Sequence, residues 1–446
     1  MSRVRDEFST EIESLAVLAA RGVGAGAGGG LAVLEEAIRA AMTALGASLL
    51  EGLLAADPGH RGQRIPCGSG HVAVFVSYRA KVIDTVLGPI RLQRAYYHCT
   101  RCQAGIVPRD AELDVCAASL SGGLRAMIAT TGAAVPFAQA AALIKDLAGI
   151  TLSTKRVERA AEEAGAAAAA ALDADTAAVL ARRVVPLPPS APAPEILYIA
   201  VDGTGVPMTP AETAGRPGKG PDGRARTREA KLACLFTQTG LDDDGRPVRD
   251  PDSTSYLATL EPVEKFSDLV AAEGHRRGSE HIRQLVMLGD GAHWIWNLAT
   301  ARFPEATQIV DLFHAREHLH ELTDLLAFII TEDPHHWYHA RRAELDNGDI
   351  EAIVKAAMIY PLVGPRATQR RKALAYFQTN AHRMRYARFR RLGMFVGSGT
   401  VEAGCKAVVG QRLKLSGMRW SGPGATSIIT LRCQNTSTHH NQTTAA

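Results

Sequence analysis

The sequence contains no long uninterrupted apolar run and no targeting pattern at its start. Because no apolar segment reaches the roughly 20 residues of a membrane span, we expect no membrane partner. The first ten residues are polar and charged, and they lack the basic start and apolar core of a secretory signal or transit peptide. These absences predict a soluble protein that stays in the cytoplasm.

Cysteine is sparse as well. Seven cysteines are spread over 446 residues, and only Cys99 and Cys102 are closely paired, so a disulfide framework is not expected. The length is typical of about two to four domains. With 46% hydrophobic and 22% charged residues, the composition is that of a globular protein with a sizeable core.

Acidic residues are nearly missing between Arg366 and Trp420. This stretch holds thirteen Lys and Arg residues and one acid, Glu402. Because the whole chain has a formal charge of only +4, the remainder is net acidic and the basic character is local. A local basic surface is typical of nucleic-acid binding, and a solvated arginine-rich helix is the alternative interpretation.

The amino-terminal third contains two different patterns. Apolar residues at helical spacing predict an amphipathic helix over residues 30–55, used for packing or dimer contact. Residues 64–110 then predict short strands at 72–76 and 90–97, with Cys67 before them and Cys99 and Cys102 after them. This is the layout of a small zinc ribbon. His71 is the candidate fourth ligand, and a ribbon-like β unit that has lost its metal is the alternative.

Residues 137–147, the turn at 148–151 and residues 153–164 match a helix, a glycine-containing turn and a second helix with Ser153 as its N-cap. A DNA-binding helix-turn-helix would direct Lys155, Arg156 and Arg159 toward DNA, although helix pairs joined by a glycine turn are common without that function. The proline-rich residues 184–195 predict a semi-rigid linker and a domain boundary.

Two predicted strands after this linker end in the same way. The strands at 196–202 and 285–290 stop at Asp202-Gly203 and Asp290-Gly291, and further strands are predicted at 231–236, 254–260 and 307–312. Aspartates at the ends of adjacent strands can converge on one point, although Asp-Gly can also mark a simple turn. With Glu402 they would supply the carboxylates that two hard cations need for phosphodiester chemistry.

Three further residues have two interpretations each. Glu402 lies in the first turn of a predicted helix, where an acid is also favoured by the helix dipole alone. Asp311 and His314 follow the strand at 307–312 and share a face if a helix begins there. They could assist the metals or steer a DNA strand, or His314 could be a core histidine bonded to Asp311.

The chain contains five short motifs in this order: Val201-Asp-Gly-Thr204, Leu288-Gly-Asp-Gly-Ala292, Val310-Asp-Leu-Phe-His-Ala315, Gly397-Ser-Gly-Thr-Val-Glu402 and Gly417-Met-Arg-Trp420. Together they resemble the motifs of bacterial insertion-sequence transposases of the Kra group. These are DDE transposases with an RNase H-like catalytic domain, and the resemblance spans roughly residues 60 to 432. It implies a catalytic triad of Asp202, Asp290 and Glu402, and it matches Asp311 and His314 to the Asp-x-x-His motif of Mutator-like relatives. The position of Ser69 departs from the family, whose ribbon has a second cysteine near it.

The sequence patterns and the resemblance together predict an α+β multidomain fold. The patterns give an amphipathic helical region at 1–60, a zinc-ribbon-like module at 61–115, a helix-turn-helix region at 116–183, the linker at 184–195 and a disordered tail at 433–446. The resemblance implies an RNase H-like catalytic domain at 196–432 with a helical insertion at about 315–395. The basic end of that insertion, including Arg385 and Arg388, suits a DNA-facing surface, although its aromatic residues Tyr376, Phe377, Tyr386 and Phe389 could form a helix core.

The predicted function is that of a bacterial, nucleoid-associated transposase. It would use Mg²⁺ or Mn²⁺, with Zn²⁺ in the ribbon, to cut and join double-stranded DNA at element ends and target, as a homodimer or higher oligomer. Lys406, Arg412, Lys414 and Arg419 follow Glu402 and are predicted to contact phosphates. The alternatives are a non-catalytic DNA-binding regulator derived from such an enzyme and a metal-dependent nuclease without strand transfer.

Overall fold

Alternating apolar residues and helical apolar stripes produce several sheets and a long series of helices in this computed structural model. The structure describes residues 31–115, 119–182, 194–218, 222–397 and 399–438, together with positions 9, 13 and 17. The protein is a mixed α+β chain that divides into two compact units, Met1–Ala164 and Gly165–Ala446. Each unit contains its own principal sheet.

The first unit begins with helix α1 (Leu31–Ala55) and a four-stranded antiparallel sheet of β1 (Arg64–Pro66), β2 (Val72–Thr85), β3 (Gly88–Cys99) and β4 (Ala104–Ile106). The predicted strands are present but longer, because β2 and β3 pair up to Thr85 and Gly88 at the tip of the hairpin, with one register shift between Phe75 and Ser77. A buried cluster that includes Cys67, Tyr97 and Cys99 holds the sheet together near its open end.

Helix α1 corrects the expectation that no apolar segment reaches the length of a membrane span. Its 25 residues are long and apolar enough to cross a membrane by length and composition, which is weak evidence because core helices and signal sequences pass the same test. Leu45 is its one buried residue.

The helix pair predicted from the glycine turn is present. After α2 (Pro108–Glu112) and α3 (Gly122–Ala134), helix α4 (Phe137–Ala148) ends at Gly149, which adopts the left-handed conformation with φ of 72°. Helix α5 (Thr154–Leu180) follows, and the hydroxyl of Ser153 accepts a hydrogen bond from the N–H of Arg156 at 3.3 Å. The predicted N-cap is therefore confirmed, but α5 is sixteen residues longer than expected at its carboxyl end.

The boundary between the two units lies inside α5 and not in the proline-rich linker, most of which is outside the described residues. The second half of α5 belongs to the second unit because it packs there. Asp173 pairs with Lys265 at 2.7 Å and Asp175 pairs with Arg276 at 2.5 Å, while Gly165 leaves no room for a side chain against the backbone of Ser427.

The second unit is built on a five-stranded mixed sheet. Its elements are β5 (Ile196–Pro207), α6 (Pro210–Thr213), β6 (Thr227–Gln238), the short pair β7 (Gly240–Leu241) and β8 (Pro247–Val248), β9 (Ser255–Thr259), α7 (Val263–Arg276), β10 (Gln284–Gly289), α8 (His293–Arg302) and β11 (Thr307–Val310). The spatial order is β11-β10-β5-β6-β9, in which β10 runs parallel to both β11 and β5, and β6 runs antiparallel to β5 and β9. Every strand predicted for this region is present.

The described chain between β11 and residue 397 is helical, as predicted for about 315–395. It forms α9 (Leu312–Leu326), α10 (Pro334–Asn347), α11 (Ile350–Met358), α12 (Gly364–Asn380), a 3₁₀ turn (Ala381–Arg383) and α13 (Tyr386–Arg391). Phe377, Tyr386 and Phe389 are buried among these helices. These three aromatics therefore form a helix core and are not available to stack on DNA.

The carboxyl-terminal part contains α14 (Gly399–Gly404), a π-helical turn (Cys405–Gly410), α15 (Gln411–Leu413) and α16 (Gly422–Thr436). The tail predicted to be disordered from residue 433 is ordered to residue 438, because Cys433 is buried and the hydroxyl of Ser437 accepts a hydrogen bond from the N–H of Tyr256 at 2.9 Å. Residues 439–446 lie outside the described residues.

Candidate active site

Two aspartates lie at the same edge of the mixed sheet because their strands are neighbours. Asp202 is in β5, Asp290 directly follows β10, and the two strands pair in parallel with Ala200 opposite Leu288. The carboxyl ends of parallel strands meet at one edge. Asp290 therefore follows a strand end, as the sequence predicted. Asp202 instead lies inside β5, two residues beyond the last pair with β10, and the strand continues to Pro207 in its pairing with β6.

Asp202 is a half-buried carboxylate with two close donors. The N–H of Gly203 donates to Oδ1 at 2.6 Å, and the thiol of Cys405 donates to Oδ2 at 3.4 Å. Burial raises the pKa of Asp202, and the negative charge of Asp290 raises it further, whereas both hydrogen bonds lower it. A cation at this position would favour the charged form and offset the cost of burial.

Asp290 is held by its own loop and by a helix. Its Oδ1 accepts a hydrogen bond from the N–H of Ala292 at 2.8 Å, and its backbone carbonyl accepts one from the hydroxyl of Tyr376 in α12 at 3.0 Å. Gly291 has a φ of 103°, and a Cβ there would lie 2.6 Å from the ring of Tyr376. The Asp290 loop therefore needs glycine next to this tyrosine.

Asp311, His314 and Glu402 form a third part of the site. Asp311 is fully buried, its N–H donates to the carbonyl of Gly289 at 2.8 Å, and its side chain caps α9 by accepting from the N–H of His314 at 2.8 Å. One ligand atom from each of Asp311, His314 and Glu402 lies within 4.8 Å of the others. Asp311 and His314 lie at the start of α9 and Glu402 comes from α14, so two elements contribute to this group.

The donor chemistry of this region suits a hard divalent cation. Asp202, Asp290, Asp311 and Glu402 offer carboxylate oxygens, which Mg²⁺ and Mn²⁺ prefer, and His314 adds one imidazole. The ring of His314 lies 3.2 Å from Glu317 on the next turn of α9, so it is not a core histidine bonded only to Asp311. Of the predicted triad, Glu402 is grouped with Asp311 and His314, while Asp202 and Asp290 lie on the two neighbouring strands β5 and β10.

Sequence reasoning missed two residues that contact this region. Cys405 follows Glu402 by three positions, a spacing that places both on one helical face, and this signal was available. Tyr376 was considered only as part of a DNA-facing surface, yet its ring packs against that of His318 with centroids 3.9 Å apart. Tyr376 and Asp290 are 86 residues apart in the chain, so no local sequence pattern indicates their contact.

The basic residues after Glu402 differ in their surroundings. Lys406 and Arg419 are exposed, and the ammonium of exposed Lys414 contacts the hydroxyl of Thr204, two residues beyond Asp202. Arg412 is fully buried, with its guanidinium over the ring of Trp420 at 5.0 Å. The prediction that Arg412 contacts phosphates is therefore wrong, because the local sequence pattern does not show which face of the turn is covered.

The other predicted DNA contacts also divide into exposed and paired side chains. Arg388 is exposed, whereas Arg385 is paired with Glu351 at 2.5 Å. In the first unit, Arg159 is exposed, Lys155 is exposed but pairs with Glu158 at 3.0 Å, and Arg156 pairs with Asp84 at 2.6 Å while also donating to Ser119. Arg385 and Arg156 are thus bound within the protein and would have to leave these partners to reach DNA.

The four predicted zinc ligands converge in the first unit. Suitable atoms of Cys67, His71, Cys99 and Cys102 all lie within 4.8 Å of one another, with 3.6 Å between the sulfurs of Cys67 and Cys102 and 3.1 Å between Nδ1 of His71 and the sulfur of Cys102. Tetrahedral zinc with bonds of about 2.3 Å to sulfur places two sulfurs about 3.8 Å apart. The set therefore fits a tetrahedral cation. The N–H of Ser69 helps to lower the pKa of Cys67, which favours the thiolate that binds metal.

Comparisons with known proteins add little. No family model and no curated protein matches this chain. Among solved structures, the chain is similar to the Drosophila P element transposase strand transfer complex, with 11% sequence identity, a TM-score of 0.23, and coverage of 73% of this chain and 81% of the other. A likeness of this size establishes neither a shared fold nor a shared activity.

Proposed function

We propose that this protein is a DNA transposase that binds the terminal inverted repeats of its own element and uses divalent metal ions to cut and join DNA. The observation that carries the proposal is the grouping of Asp311, His314 and Glu402 within 4.8 Å of one another, with Asp202 and Asp290 on neighbouring strands and close enough for the charge of Asp290 to raise the pKa of Asp202. Glu402 also lies within the strongly basic segment. Carboxylates on two adjacent strands of a mixed sheet, Asp202 within β5 and Asp290 after β10, also support an RNase H-like catalytic domain of the DDE type.

The acidic side chains would hold Mg²⁺ or Mn²⁺ in this reaction. Such ions activate a water or hydroxyl nucleophile and neutralise the charge that develops on the phosphodiester. Asp202 and Asp290 are fixed by their hydrogen bonds to Gly203 and Ala292, so they present oxygens with little reorganisation. Glu402 from α14 would complete the metal site together with Asp311 and His314.

DNA would be held by exposed cations close to this edge. Lys414 is fixed next to Asp202 through Thr204, and Lys406 is four residues from Glu402, so both are near the carboxylates. Arg419 and Arg388 add exposed charge that attracts phosphates without sequence preference. In the first unit, exposed Lys155 and Arg159 at the start of α5 would contribute to recognition of element ends.

Zinc would have a structural function in the first unit. The Cys67, His71, Cys99 and Cys102 group closes all four tetrahedral positions with protein ligands, which is typical of structural sites and not of catalytic ones. It would fix the open end of the four-stranded sheet, where the buried part of this module is small.

The test uses purified full-length protein, Mg²⁺ and labelled duplexes that cover both DNA flanks of the coding sequence. Native protein should nick these duplexes and join the freed 3′ ends to a second DNA. Asp202→Asn and Glu402→Gln should bind the same duplexes without cutting them. Glu264→Gln, an exposed acid on α7, is the matched control and should cut normally.

Each other outcome contradicts the proposal and favours a specific alternative. Native protein that binds these duplexes but never nicks them would be a DNA-binding regulator. Cutting that is never followed by joining would indicate a metal-dependent nuclease. Cutting by both variants at the native rate would show that the carboxylate group is not the active site.

A further inference from the structure

Helix α10 carries a pair of histidines that belongs neither to the acidic site of Asp202, Asp290, Asp311, His314 and Glu402 nor to the Cys67, His71, Cys99 and Cys102 group. His335 and His339 are four residues apart, so their side chains share one face of the helix. Both residues are exposed. Their rings meet edge to face with centroids 4.4 Å apart, and their Nε2 atoms are 3.3 Å from each other.

This separation matches the geometry of a bound cation. Bonds of about 2.0 to 2.1 Å from histidine nitrogens to tetrahedral zinc place two such nitrogens about 3.3 to 3.4 Å apart. Without a cation, the two Nε2 atoms can satisfy each other only if one ring donates its single proton to the other. A bound cation would let both nitrogens bind it through their lone pairs at the same time.

The pair is held in place before any cation binds. The side chain of Asp333 caps α10 by accepting from the N–H of His335 at 3.1 Å, and Trp337 on the opposite face is buried. The ring of Tyr338 packs edge-on against His339 with centroids 5.6 Å apart, and against His320 of α9 with centroids 5.4 Å apart. The contact with Tyr338 limits the rotamers of the His339 ring, and the cap fixes the backbone that carries His335, so the entropy cost of chelation is lower.

We propose that His335 and His339 form a surface site for a divalent transition-metal cation of the zinc type, with its remaining positions open to water or to a donor from another molecule. Neutral imidazole suits Zn²⁺, Cu²⁺ and Ni²⁺ but not Mg²⁺. The histidine site therefore selects a different class of metal from the one that the acidic site selects. The proposal does not depend on the proposed function, because neither histidine belongs to the acidic site.

His336 supplies an internal control. It lies between the two ligands in the chain, but its Nδ1 pairs with Glu332 at 3.0 Å. It is equally exposed and belongs to the same turn, so its replacement changes the histidine content without removing the pair.

The test compares metal uptake by full-length native protein, His336→Asn and the double variant His335→Asn/His339→Asn. Each protein is first saturated with zinc, then dialysed to equilibrium against micromolar Zn²⁺ with excess Mg²⁺, and its zinc content is measured by mass spectrometry. Native protein and His336→Asn should each bind one more zinc per chain than the double variant. Because the difference between variants is the measured quantity, zinc held elsewhere in the chain cancels.

Electron paramagnetic resonance with added Cu²⁺ gives a second measurement. Native protein and His336→Asn should show a copper signal with two nitrogen ligands that the double variant lacks. Equal helix content by circular dichroism would show that the exposed substitutions leave the fold intact. Equal zinc uptake by all three proteins, or no difference in the copper signal, would overturn the proposal.

Discussion

Asp202 combines two properties that oppose each other. Metal binding requires its carboxylate to be charged, whereas burial raises its pKa and so favours the neutral acid. A raised folded-state pKa means that the folded protein binds this proton more tightly than the unfolded chain does. The stabilisation from protonation is present at low pH and is lost as pH rises through the folded pKa, so at neutral pH the charged side chain destabilises the metal-free fold.

Asp202→Asn should therefore separate stability from activity. In Mg²⁺-free buffer at neutral pH, thermal unfolding should show equal or greater stability than the native chain, with a gain of up to about 1 kcal/mol, while DNA cutting is lost. In native protein, cutting should decline on acidification at a higher pH than an ordinary aspartate would give. A variant that is strongly destabilised would contradict this account of Asp202.

Arg412 and Arg419 illustrate how similar residues in one basic segment differ. Arg412 is fully buried over Trp420, where burial lowers its pKa to about 10, whereas Arg419 is exposed. Burial of a long cationic side chain contributes packing as well as charge.

Arg412→Ala should lower the free energy of unfolding by about 3 kcal/mol, because it leaves a large cavity beside Trp420. Arg419→Ala should leave stability within about 0.5 kcal/mol but weaken DNA binding and reduce the salt slope of the association constant by about one. Denaturant unfolding and salt-dependent DNA binding measure these effects. The reverse pattern would show that the burial assignment is wrong.

At the scale of elements, helix α12 fixes the loop that follows β10. The hydroxyl of Tyr376 donates to the carbonyl of Asp290, and its ring fills the space over Gly291. The helical segment between β11 and α14 thus has a structural link to the candidate active site, in addition to any contact with DNA.

Tyr376→Phe should remove this link while keeping the ring. We expect a loss of about 1 kcal/mol in stability and slower DNA cutting, with DNA affinity unchanged because no cation is lost. Tyr338→Phe on α10 is a matched control that should cut at the native rate. Unchanged cutting by Tyr376→Phe would show that the Asp290 loop does not need this hydrogen bond.

The elements themselves were largely predictable, and their lengths were not. Strands β5, β6, β9, β10 and β11 follow from short apolar runs that end in turn residues. Helix α5 extends to Leu180 and not to residue 164. Its run of alanines at 166–171 favours helix by local propensity, and its second half also pairs with distant residues such as Lys265 and Arg276. Local propensity cannot report partners that lie about a hundred residues away.

At the scale of the whole molecule, the two units have different sources of stability. The second unit has an extensive core around its mixed sheet, whereas the sheet of the first unit is closed at one end by a small cluster around Cys67 and Cys99. A structural metal contributes most where such a core is small.

Cys99→Ser should remove one zinc per chain and make residues 61–115 sensitive to protease, because three remaining ligands cannot close the tetrahedral site. Arg101→Ala, an exposed neighbour, is the control and should keep its zinc. Metal analysis combined with limited proteolysis measures both effects. Native zinc content in Cys99→Ser would exclude this cysteine as a ligand.

The sequence by itself determined the strands, the glycine turns and the identity of the acids and cysteines, because hydrophobic period and turn chemistry act over a few residues. It also placed Asp290 at a strand end, whereas Asp202 lies inside β5. Only the tertiary structure decided that β5 and β10 are neighbours, that Glu402 is grouped with Asp311 and His314, that Arg412 is buried, and that Tyr376 holds the Asp290 loop. These outcomes depend on pairing and burial between segments far apart in the chain, which no local pattern encodes.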